Sequence, residues 1–163
     1  GHVYGGGQGD VANKDYGKVT GNTYVNVSGT TKIHNNVYGG GMLGSVGSGN
    51  LNDKNSGVAT VTISGGEIGP LDGSGMNAYV YGGGRGKEED DNSEFKDYAN
   101  VDSTSVIVCD SARIYGSIFG GGSDGHVLGD AYVRVEKGNN TQNKIPVIGT
   151  TGKTSWDGNI IDL

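Results

Sequence analysis

The sequence predicts an all-β chain wound as a parallel β-helix (β-solenoid), with about one coil per repeat of 34 to 43 residues and loop insertions between strands. Three observations predict it. The string VYGGG stands at residues 3–7, 37–41 and 80–84 and returns as IFGGG at 118–122, at intervals of 34, 43 and 38 residues. Between these strings lies a block whose aliphatic residues are two apart: Val25/Val27, Val61/Ile63, Val106/Val108 and Val133/Val135. No segment carries a helical period over the ~11 residues of an average helix.

The first element of each unit is the VYGGG string itself. The residues before its aliphatic position are His2, Asn36, Tyr79 and Ser117, mostly polar and therefore outward. Strand alternation then turns Val3, Val37, Val80 and Ile118 inward, and Tyr4, Tyr38, Tyr81 and Phe119 outward as a stacked ladder. Glycines follow because glycine tolerates positive φ and close backbone approach, which a corner repeated in every coil demands.

The second element is the strand TYVNV (23–27) and its counterparts at 60–63, 105–108 and 131–135. Between the paired aliphatics lie Asn26, Thr62, Ile107 and Arg134; three of the four are polar, so the valine side faces the core. The third element carries Ile33, Ile68 and Ile114 and leads back to the glycines. Four residues separate Ile33 from Val37 and Ile114 from Ile118, whereas twelve separate Ile68 from Val80, which marks GPLDGSGM as an insertion. Residues 8–22, 42–57 and 85–103 are the other elastic stretches, and 123–130 shows the connection near its minimum. The run at 87–98 reads as a solvated, charged loop. Val147, Ile148 and Gly149 read as a degenerate fifth corner, VIG in place of VYGGG.

Three short strands cannot bury their own apolar face, but units stacked ~4.8 Å apart let each strand pair with its counterparts above and below. The whole chain, 1–163, is thus expected to be one solenoid segment with units at 3–36, 37–79, 80–117 and 118–163. Because it opens directly on a repeat unit, it is expected to belong to a longer array.

Composition bounds the function. Hydrophobic residues make up 33% of the chain and glycine 34 of its 163 residues, against 2 prolines, which suits a narrow, turn-rich core rather than a wide globular one. A net charge of −6 argues against nucleic acid or an anionic membrane surface as partner. Cys109 is the only cysteine, so the chain has no intrachain disulfide framework and no CxxC knuckle. No apolar stretch approaches the ~18 residues that mark a membrane span.

Several motif strings arise from glycine content alone. GGGMLG (39–44) and GGGSDG (120–125) satisfy G-x-G-x-x-G but lead into further turns and a strand, where a dinucleotide site needs a helix. VIGTTGKTS ends like a phosphate loop, yet Val147 stands where that motif has its first glycine. GGGQGD (5–10) approaches a calcium-roll repeat with the wrong spacing and period. Asp90, Asp91 and Glu94, or Asp124 and Asp130, are carboxylates that a hard cation could use, although solvated loop acids are the more common case. No cofactor and no metal are expected. His2, His34 and His126 form no recurring acid–base dyad, and His126 beside Asp124 reads as a turn histidine. Asn26 and Asn139 stand in glycosylation sequons.

The ladder of Tyr4, Tyr38, Tyr81 and Phe119 is the strongest candidate ligand-binding feature, because aromatic planes suit the apolar faces of sugar rings. The order V-Y-G-G-G, VTGNT (19–23), V-x-V-S-G, isoleucine and back to V-Y-G-G-G resembles the glycine-rich repeats of large bacterial cell-surface or secreted β-helix proteins, adhesin-like in character. That resemblance implies a non-enzymatic stalk or adhesive surface, extracellular or on the bacterial surface, with a glycan or host-surface partner. Terminal coils of a solenoid normally need caps, and Gly1 and Leu163 both fall inside the repeat pattern, so isolated ends are expected either to fray or to self-associate end to end. Polysaccharide lyases and hydrolases share the architecture. The alternative is therefore a fragment of a carbohydrate-active β-helix enzyme, for which Arg85, Lys87, Asp90 and Asp91 are the only crowded acid and base candidates.

Overall fold

The computed structural model describes residues 1–48, 56–69, 78–88, 97–139 and 144–149. Among them lie twelve strands and no helix. The first unit contributes β1 (Val3–Tyr4), β2 (Thr23–Val27) and β3 (Lys32–Ile33); the second, β4 (Val37–Tyr38), β5 (Val58–Ile63) and β6 (Glu67–Ile68). The third contributes β7 (Val80–Tyr81), β8 (Ser103–Val108) and β9 (Arg113–Ile114); the fourth, β10 (Ile118–Phe119), β11 (Ala131–Val135) and β12 (Val147–Ile148). They form three four-stranded sheets in the orders β1-β4-β7-β10, β2-β5-β8-β11 and β3-β6-β9-β12. Every pairing is parallel. Each unit gives one strand to each sheet, in chain order, an arrangement compatible with a solenoid.

Register places like on like. Val25, Val61, Val106 and Val133 are partners in one column, and Val27, Ile63, Val108 and Val135 in the next. Val61, Ile63, Ile68, Val80, Val106, Val108 and Ile114 are completely buried in a single cluster with Val37. Burying such a side chain stabilises by roughly 1.5–3 kcal/mol, so these repeated aliphatic columns are the main cohesive force. Thr62 between them is only partly buried, as the alternation requires.

The glycine triplets do not need positive φ: none of them has it. In the first three triplets close approach alone requires them. A Cβ on Gly39 would strike the carbonyl oxygen of Gly82 and come within 3.0 Å of Val61 Cγ2, and one on Gly40 would lie 2.7 Å from the Gly84 nitrogen. Among the positive-φ positions, one recurs in every unit in the turn after the second element, at Gly29 (65°), Gly66 (80°), Asp110 (56°) and Gly138 (73°).

Two further readings are corrected. The stretches after the triplets are not wholly elastic, because Val19, Val46, Val101 and Val127 bridge one another in parallel as a fourth apolar column. Val46 and Val101 pack with Ala59 in a second small core. The second and fourth units share one spacing: Val46 and Val127 each lie seven residues after the first glycine of their triplets, Gly39 and Gly120. Second, Val147 and Ile148 are not a fifth VYGGG corner. They pair with Arg113 and Ile114 as the third element of the fourth unit, where Ile148 continues the isoleucine column.

The fourth unit also exposes residues of core parity. Val133 and Val135 are 42% and 50% exposed, although the first unit, also terminal among the described strands, keeps Val25 and Val27 at 7% and 4%.

Candidate functional site

The first sheet sets the ladder. Its in-register strands pair Tyr4 with Tyr38, Tyr38 with Tyr81, and Tyr81 with Phe119. Ring centroids are 4.9, 5.0 and 5.1 Å apart, and interplanar angles are 7°, 5° and 15°. Four rings therefore stack face to face along the axis of strand stacking. His2 lies tilted against Tyr4 and Tyr38, and Tyr79 against Tyr81 and Phe119, at 5.9–6.1 Å.

This stacking changes what the ladder can offer. The faces of the inner rings cover one another, and Tyr38 is 2% exposed, so no sugar ring can lie on them. What stays accessible belongs to Tyr4 and Tyr81, both half-buried, and to Phe119, 42% exposed. A polar fringe borders the hydroxyls. Asn36 Nδ2 donates to Tyr38 OH at 2.9 Å and Arg85 Nη1 to Tyr4 OH at 3.5 Å. Ser123 is hydrogen-bonded to the Tyr81 hydroxyl, and Asp124 is close enough to act on Tyr38 and Tyr81.

Burial, then the neighbouring phenols and Asp124, pushes the Tyr81 hydroxyl above its ordinary range. Burial does the same at Tyr38, against the hydrogen bond from Asn36. Burial lowers His2, helped by the charges of Arg85 and the terminal amine, which favours neutral imidazole. Its Nδ1 accepts the Asn36 backbone N–H at 3.2 Å. The site is thus a column of three tyrosines and a phenylalanine with amide, guanidinium and carboxylate groups at its rim, where the half-buried Tyr4 and Tyr81 can hydrogen-bond a polar ligand.

The other candidates disperse. Arg85 is engaged with the ladder, whereas Lys87 lines a separate hollow with Glu88, Asp124 and His126. Asp90, Asp91 and Glu94 lie outside the described residues. Asp124 occupies a left-handed turn (φ 57°) and accepts from Ser123 Oγ at 3.3 Å, while the Asp130 carbonyl accepts the Thr104 N–H. Among the described residues no group of three or more His, Cys, Asp or Glu is placed to hold a metal ion. Nor, among them, is any helix long and apolar enough to cross a membrane.

Two features escaped the sequence reading. A cavity of about 530 Å³ on the third sheet is lined by Lys32, Glu67, Arg113, Lys144 and Ile145. Lys32 pairs with Glu67 at 4.0 Å, and the Arg113 guanidinium lies 4.8 Å from the Tyr115 ring centroid. Its signal was the residue before each isoleucine: Lys, Glu, Arg. The second is Asp102, a 4% exposed carboxylate that accepts the Ser48 N–H at 3.0 Å and packs where any side chain on Gly47 or Gly57 would stand.

These features define a repetitive all-parallel β protein with an aromatic column along one wall. No family model, curated protein or solved structure matches the chain.

Proposed function

We propose that this chain is a stretch of parallel β-solenoid, wound one coil per repeat, that serves as a non-enzymatic stalk and adhesive surface of an extracellular bacterial protein. The observation that carries the reading is the ring column itself, with an aromatic residue at the same register position in all four units. Repetition of a surface group at each coil is what a scaffold that holds an extended polymer needs, because many weak contacts along one ligand sum without any single deep pocket. The ligand class is a glycan. Its hydroxyls meet the phenols of Tyr4 and Tyr81 and the Arg85 guanidinium, and its apolar faces meet only the exposed ring parts, chiefly the end ring Phe119.

Titration of cell-wall and host glycans against the purified chain tests this. Weak binding that falls when Tyr38 and Tyr81 are both replaced by Ala, with the circular dichroism retained, supports the reading. Binding untouched by that change removes the ladder as the site. Cleaved or unsaturated glycan products would overturn the non-enzymatic assignment.

A further inference from the structure

We infer that the cavity on the third sheet is a binding site for an acidic sugar residue, one that carries a carboxylate beside its hydroxyls. The cavity belongs to a different sheet from the ring column, and the site stands whether or not that column binds a glycan.

The cavity measures about 530 Å³, within the roughly 300–1,000 Å³ that small-molecule sites span, and all of its lining residues are among those described. All four units contribute to it. The third sheet pairs Lys32 with Glu67, Glu67 with Arg113 and Arg113 with Val147, so its outer face presents cation, carboxylate and cation at successive steps. Lys144 adds a third cation to the lining. Three cations against one carboxylate give this wall a charge of +2 in a chain whose net charge is −6. Positive charge concentrated in one hollow of an acidic protein draws an anion there and not elsewhere.

The donors suit a carboxylate. The Arg113 guanidinium lies 4.8 Å from the Tyr115 ring centroid, a cation–π contact that steadies its planar fork on a half-buried side chain. A steadied guanidinium offers paired N–H groups at the spacing of two carboxylate oxygens, whereas the exposed Lys32 and Lys144 supply flexible ammonium charges. Glu67 decides between anions. Its carboxylate, 4.0 Å from the Lys32 ammonium, repels further negative charge, which favours a singly charged carboxylate over a phosphate dianion. It also accepts hydrogen bonds from sugar hydroxyls, and the exposed Thr30 and Ser111 can donate to them or accept from them. Ile145, 52% exposed, gives the lining an apolar side for the C–H face of a sugar ring. Gly29 leaves space at its end of the cavity: it sits in a left-handed turn (φ 65°), and a Cβ there would meet nothing within 4 Å.

The test titrates the whole chain with glucuronate, glucose and glucose 6-phosphate, followed by nuclear magnetic resonance shifts of the protein. Glucuronate should bind, and glucose, which lacks the carboxylate, should bind at least about tenfold more weakly. Glucose 6-phosphate should bind no better than glucuronate. Lys32→Gln and Lys144→Gln alter exposed positions and should each weaken glucuronate binding about two- to fivefold at an unchanged melting temperature. Arg113→Gln should weaken it about tenfold or more. Glu67→Gln keeps an acceptor, removes the like charge and should strengthen it. Should Arg113→Gln fail to fold, the two lysine variants carry the test alone. Tyr4→Phe/Tyr81→Phe should leave glucuronate binding unchanged, which separates this site from the ring column. No glucuronate binding, equal binding of glucose, tighter binding of glucose 6-phosphate, or glucuronate binding that responds to the tyrosine variant and to neither lysine variant overturns the inference.

Discussion

Thr23 and Gly39 are joined across two units: the buried threonine hydroxyl donates to the glycine carbonyl at 2.7 Å. Thr104 repeats the bond to Gly120 at 2.6 Å. Replacing Thr23 by Val keeps the shape and removes the donor, leaving a buried carbonyl unsatisfied. The expected cost is roughly 1–3 kcal/mol. Urea unfolding should show it as a lower midpoint at unchanged slope.

Strand parity makes a sharper contrast. Val61 and Val106 are fully buried, and Thr62 stands between Val61 and Ile63 on the opposite face. Val61→Asp or Val106→Asp buries an unpaired carboxylate and should cost more than about 3 kcal/mol, whereas Thr62→Asp should stay within about 0.5 kcal/mol. Thermal melts of the three variants check this, and equal responses from both faces would refute the assigned parity.

Glycines should divide by geometry rather than by motif. Gly39→Ala drives a methyl into the Gly82 carbonyl and Val61, and such overpacking costs typically 1–3 kcal/mol. Gly121, at the same rank within its triplet as Gly40, has open space and no positive φ. Its Ala variant should be neutral, or more stable by about 0.4–1 kcal/mol through the unfolded chain. Chemical denaturation of the two variants side by side measures the difference.

The ladder predicts an alkaline limit. Tyr38 and Tyr81 have folded pKa values raised above the ordinary 10.0, chiefly by burial. The folded chain therefore holds these protons more tightly than the unfolded one. Their contribution to stability is fully present below pH 10 and is lost as pH rises through the folded values. Melting temperature should fall above that point, and the Tyr38→Phe/Tyr81→Phe double variant should fall less.

The strands, their parity and the ring column were legible because side-chain period and register are local properties that stacking merely repeats. Val25, Val61 and Val106 announce themselves by spacing, and Tyr4, Tyr38 and Tyr81 by recurrence. The valine column of Val19, Val46, Val101 and Val127 was harder to see, since insertions of different length separate Val19 and Val101 from their triplets. Ile148 was misassigned because VIG copies part of the corner string, while only pairing with Ile114 reveals its sheet. The orientation of the rings was not legible at all: alternation says which wall a tyrosine leaves from, but in-register pairing decides that its face meets another ring.

The most direct test of the account is glycan titration with the Tyr4→Phe/Tyr81→Phe variant beside the parent chain. Phenylalanine already occupies the ladder at position 119, stacked 5.1 Å from Tyr81, so the double change keeps the column and removes two hydroxyls. If a glycan runs along the phenol edge, binding should weaken markedly while circular dichroism stays the same. Glycan binding equal to that of the parent would contradict the account.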